Sequence, residues 1–88
     1  MRRTVTVISR KGCHLCEKVV DALNSFASKY DLDVQVVDIS HDARLTNKYF
    51  LVIPVVQVDG KDVFEGKDMT SDSGFVTKLE QIFQQPSL

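Results

Sequence analysis

The chain is 88 residues long, 43% of them hydrophobic, and its 11 basic and 12 acidic residues leave a net charge of -1. That length suits one domain with a small core, and a near-neutral chain without a basic patch offers nucleic acid nothing to hold. The apolar run Phe50 to Ile53 is far too short to span a bilayer, and residues 1–12 lack the apolar segment of a signal peptide, so a cytoplasmic location is expected.

In chain order, Arg3 to Ser9 alternates and is rich in β-branched residues, which predicts a strand. Val5 and Val7 point to one face and Thr4, Thr6 and Ile8 to the other, as suits an interior strand between helices. Gly12 breaks the chain before a helical pattern from His14 to Tyr30. There Leu15, Cys16, Val19, Val20, Ala22, Leu23, Phe26, Ala27 and Tyr30 recur mostly in steps of three and four, giving a broad buried stripe. Cys16 falls on its inward side, and Cys13 at or just before the first turn. Leu32 to Ile39 reads as a second strand. Strand, helix and strand then form a βαβ unit with parallel strands and a right-handed crossover.

Ser40-His41-Asp42 makes a turn, with Asp42 capping a short helix through Tyr49. Val52 to Val58 is a third strand with Pro54 near its start, because proline donates no ladder hydrogen bond. Asp59-Gly60 marks a type I′ hairpin, and Lys61 to Glu65 returns antiparallel. Gly66 to Gly74 reads as a polar, flexible loop. The last helix starts in or after it, capped by Thr70, Ser71 or Ser73, with Phe75, Val76, Leu79, Ile82 and Phe83 as its stripe and Pro86 as its stop. The order β-α-β-(α)-β-β-α predicts an α/β fold: a four-stranded mixed sheet flanked by helices, in a single domain over residues 1–88.

The only two cysteines lie in Ser9-Arg10-Lys11-Gly12-Cys13-His14-Leu15-Cys16, between the first strand and its helix. That is the carboxyl end of a strand, where open α/β sheets hold their sites. In a reducing compartment such a pair reads as catalytic or metal-binding rather than as a staple, and its small loop would stabilise the fold little. The helix start supplies unpaired N–H groups and the positive end of a dipole, and Arg10 and Lys11 add charge. Together they lower the pKa of Cys13 below the free-thiol value of about 8.5. Cys16, facing inward, stays protonated until needed. One exposed and one shielded sulfur is what thiol–disulfide exchange requires. His14 either favours the thiolate when charged or presents a neutral ring to solvent. His41 reads as a surface turn residue, and Tyr49 and Phe50 as core at a helix end.

The Cys-His-Leu-Cys segment, the Val52-Ile53-Pro54-Val55 segment and the element order together resemble the glutaredoxin-like branch of the thioredoxin superfamily over nearly the whole chain. The resemblance implies that Cys13 is the nucleophile and Cys16 resolves the mixed disulfide. It implies a cis Pro54 against the dithiol, with the Ile53 amide and carbonyl free to pair with an extended peptide or glutathione. Arg10 would help hold glutathione, with Lys11 beside it, and Asp68 would accept the amine of its γ-glutamyl end. Two departures stand out: Glu65-Gly66 replaces the frequent Gly-Gly, and Cys-His-Leu-Cys replaces Cys-Pro-Tyr-Cys. Both weaken glutathione specificity more than dithiol chemistry.

The function expected is a small thiol–disulfide oxidoreductase reducing protein or glutathione mixed disulfides. It would be a monomer with no tightly bound cofactor, taking electrons from glutathione or a reductase, and with neither nucleic acid nor membrane as partner. Two alternatives stay open. One is a thioredoxin-fold adaptor whose cysteines merely pack. The other is a metal-binding module, in which a second chain or glutathione would complete a site that two cysteines only half supply.

Overall fold

A computed structural model of the chain describes residues 2–69, 71 and 73–84. Its elements are β1 (Arg3–Ser9), α1 (His14–Tyr30), β2 (Leu32–Asp38), α2 (Ala43–Tyr49), β3 (Val55–Val58), β4 (Lys61–Phe64), a 3-10 turn at Gly66–Asp68, and α3 (Gly74–Gln84). The sheet is ordered β2-β1-β3-β4. β1 runs parallel to β2, from Arg3 opposite Leu32 to Ser9 opposite Asp38, and antiparallel to β3. This is the four-stranded mixed sheet flanked by helices that the sequence implies. β1 is interior, as its apolar residues on both faces require.

Alternation along β1 divides the core. Val5 and Val7 pack with Val19, Leu23 and Phe26 of α1 and with Phe75, Leu79 and Phe83 of α3. Ile8 belongs to a second cluster with Ile39, Tyr49 and Val55, which α2 covers. The two long helices are tied at their edge, where Glu80 accepts from Lys29 Nζ at 2.9 Å and from the Tyr30 hydroxyl at 3.1 Å. Leu15, expected in the buried stripe of α1, lies at its rim in the first turn and is exposed.

Local signals behave as their chemistry dictates. Asp42 caps α2, its carboxylate accepting the Leu45 N–H at 3.0 Å. Asp59 and Gly60 both have positive φ, 51° and 88°, as a type I′ turn demands. Further expectations are corrected. Only Tyr49 of the Tyr49-Phe50 pair enters the core, because Phe50 is the C-cap residue of a seven-residue helix and stays 48% exposed. β3 begins at Val55, after Pro54, rather than at Val52, and β2 and β4 each stop one residue short of the expected end. The segment after β4 begins as a fastened 3-10 turn rather than a flexible loop: the Asp68 carboxylate accepts the Glu65 N–H at 2.9 Å and pairs with Lys78 of α3. Ser71 accepts the Gly74 N–H at 2.9 Å at the start of α3. The expected cap Thr70 and stop Pro86 fall outside the described residues. Among the described residues, no helix is long and apolar enough to cross a membrane.

Candidate active site

β1 ends at Ser9, and the loop that follows is pinned to the turn after β2. The Ile39 N–H donates to the Ser9 carbonyl at 3.0 Å, and the Lys11 N–H reaches the Ser40 hydroxyl oxygen at 3.4 Å. The Ser40 N–H in turn donates to Asp38 Oδ1 at 2.8 Å. Hydrogen bonds from the Ser40 hydroxyl and backbone hold the Asp38 carboxyl below the usual carboxylate range. The Cys13 N–H closes the loop onto the Arg10 carbonyl at 3.1 Å.

Cys13 is thereby delivered as the N-cap of α1, in extended conformation, with its carbonyl accepting the Glu17 N–H at 3.1 Å. Its sulfur accepts the Cys16 N–H at 3.3 Å, taking the place an oxygen holds in an ordinary cap. The two cysteines are joined as a disulfide, with Cα atoms 5.2 Å apart. Cys13 is half-buried, whereas Cys16 is 3% exposed beneath the first turn. In the reduced pair, the N–H that faces Cys13 and the positive end of α1 favour a thiolate there. Burial opposes one at Cys16.

An open cavity of 360 Å³ lies against this pair, and Arg10, Lys11 and both cysteines line it. Arg10 and Lys11 are exposed at the site. His14 points into solvent, its Nδ1 3.7 Å from the Glu17 carboxylate. His41 is an exposed turn residue.

The remaining expected residues do not line that cavity. The Ile53–Pro54 bond is cis, and the Pro54 side chain is fully buried. The expectation of a free Ile53 amide is corrected: that N–H donates to the Tyr49 carbonyl at 3.1 Å, closing the turn that ends α2. The Ile53 carbonyl has Gly66 against it. The Gly66 N–H donates to the Val52 carbonyl at 2.8 Å, and a Cβ at residue 66 would stand 2.5 Å from the Ile53 oxygen. Glycine at 66 thus lets the 3-10 turn close on this chain's own backbone. Asp68 sits in that turn, and Lys78 first, then the Glu65 N–H, hold its carboxyl below the usual range.

Sequence reading missed four other residues that line the cavity, Val20, Asp21, Val36 and Asp38. Val36 belongs to the apolar run of the second strand. β2 is an edge strand, however, and Val36 is 51% exposed. Among the described residues, no group of three or more His, Cys, Asp or Glu could hold a metal ion.

Residues 4–85 match the family model described as Glutaredoxin-like domain (DUF836). No curated protein matches the chain. Among solved structures it resembles protein XcR50 from X. campestris at 26% identity, covering 88% of this chain and 96% of that one with a TM-score of 0.64. It also resembles protein Ne2328 from Nitrosomonas europaea at 26% identity, covering 88% and 89% of the two chains with a TM-score of 0.65. Thioredoxin 1 from Thermosipho africanus shares the fold at 14% identity, over 92% of this chain and 94% of its own, with a TM-score of 0.58.

Proposed function

The chain belongs to the glutaredoxin-like family, and from that premise we propose that it reduces protein or glutathione mixed disulfides, with Cys13 attacking and Cys16 resolving. The observation that carries the reading is the Cys13 sulfur at the helix cap, facing the Cys16 N–H, with Cys16 buried directly behind it.

In the first step the Cys13 thiolate attacks one sulfur of the substrate disulfide, forming a mixed disulfide and releasing one substrate thiolate. The Cys16 thiol then loses its proton and attacks the Cys13 sulfur. This releases the second substrate thiolate and leaves the Cys13–Cys16 disulfide seen here. Two electrons pass to the substrate, whose two thiolates take up protons. Two molecules of a monothiol such as glutathione, or one reductase dithiol, return the pair to its reduced form, and no tightly bound cofactor is needed.

Arg10 and Lys11 face an incoming carboxylate. At the Pro54 turn, the Ile53 carbonyl is the group left to accept from a ligand N–H, since the amide is committed to Tyr49. Asp68 receives a ligand amine only by exchanging Lys78 for it. We read residues 1–88 as one domain acting as a monomer in the cytoplasm, where reducing conditions keep such a pair in use.

The test compares turnover of a glutathione mixed disulfide by the parent, Cys13→Ser and Cys16→Ser chains. Loss of all exchange in Cys13→Ser, with glutathione-dependent turnover surviving in Cys16→Ser, supports both roles. Full activity in Cys13→Ser overturns them.

A further inference from the structure

We propose that the groove beside the disulfide receives a lysine or arginine side chain of a protein substrate, placed within two residues of the substrate cysteine. The proposal rests on the oxidoreductase reading and names a substrate class for it.

The groove has a direction. Ser9 pairs with Asp38 and Val7 with Val36, so Asp38 lies at the cysteine end and Val36 two residues down β2, about 7 Å away. On α1, Asp21 lies eight residues beyond Cys13, about 12 Å along the axis. The head of the groove therefore holds the disulfide with Arg10 and Lys11, and its foot holds Val20, Val36 and Asp21.

Charge follows the same direction. Arg10 and Lys11 lie in the loop at the head, where Asp38 offsets them. Glu17 lies one turn along α1, with His14 at 3.7 Å. Asp21 stands at the foot with no ion pair or side-chain hydrogen bond among the described residues. The foot is thus an apolar patch with an unpaired carboxylate at its edge, continuous with the reacting sulfurs.

A long cationic side chain matches that surface, since its methylene stem covers apolar area while its head seeks an anion. A residue one or two positions from the substrate cysteine is displaced by roughly 3–7 Å of extended chain, and its own side chain spans the rest. The Pro54 turn discriminates less, because the Ile53 amide is already bonded to Tyr49. Selection falls to the groove.

The experiment mixes the reduced full chain with three peptide disulfides, identical except for Lys, Ala or Glu two residues from the cysteine. Single-turnover rate constants are measured at low and at molar salt. The expected order is Lys, then Ala, then Glu, with a Lys-to-Glu ratio of roughly fivefold, as exposed charge pairs give, shrinking in salt. Asp21→Asn should bring that ratio close to one. A ratio near one in the parent, a preference for Glu, or a Lys preference untouched in Asp21→Asn would each overturn the groove assignment while leaving the oxidoreductase reading in place. No reaction with any peptide overturns both.

Discussion

At the residue scale, the chemistry depends on how the Cys13 sulfur is solvated. The Cys16 N–H at 3.3 Å and the amino end of α1 stabilise its anion, with Arg10 and Lys11 adding to them. Asp38 and Glu17 line the same cavity and oppose them. The nearest donors are fixed by backbone geometry, whereas Glu17 is exposed to solvent and screened, so the stabilising side wins. Cys13 of the reduced chain should therefore lose its proton below the free-thiol range. The rate of alkylation followed against pH gives the midpoint; a value equal to that of a short peptide would remove the basis for calling Cys13 the attacker. The cysteines and their asymmetry were legible because capping and helical period are local. The bonded Ile53 amide was not, because its acceptor is set by how α2 ends, and nothing in Val-Ile-Pro-Val records that.

At the element scale, the hairpin and the α2 cap were legible from Asp59-Gly60 and Asp42, whose partners lie within a few residues. The turn at Gly66–Asp68 was not legible, since long-range contacts fasten it: Gly66 to the Val52 carbonyl, and Asp68 to Lys78 of α3. That anchor has a pH signature. The Asp68 carboxyl titrates lower in the folded chain than in the unfolded one, chiefly because of Lys78. Its contribution is therefore present above the unfolded carboxylate value of about 3.9 and is lost as pH falls through the lower folded value. An Asp68→Asn chain should be less stable than the parent at neutral pH, with the difference closing in acid. Thermal midpoints of the two chains across that range check this. A gap that stays constant into strong acid would mean that the Lys78 pair does not fasten α3.

At the scale of the whole molecule, an exchange domain must stay folded in both redox states, and the structure separates the two requirements. The core consists of two clusters on opposite sides of the sheet, bridged by β1, and neither includes a cysteine. The disulfide spans only three positions of sequence. Closing so short a loop restricts the unfolded chain by about 2 kcal/mol at most, whereas cutting a buried leucine such as Leu23 to alanine costs about 2–5 kcal/mol. In the reduced chain, the cap interaction at Cys13 offsets part of the lost cross-link, because a thiolate gains more from the facing N–H than a disulfide sulfur does. The oxidised and reduced chains should therefore unfold at neutral pH with stabilities within about 2 kcal/mol of each other, and with similar denaturant slopes. Paired urea titrations with and without a strong reductant measure this directly. Collapse of the fold on reduction would make the bridge a structural staple, and a staple cannot be opened at every turnover.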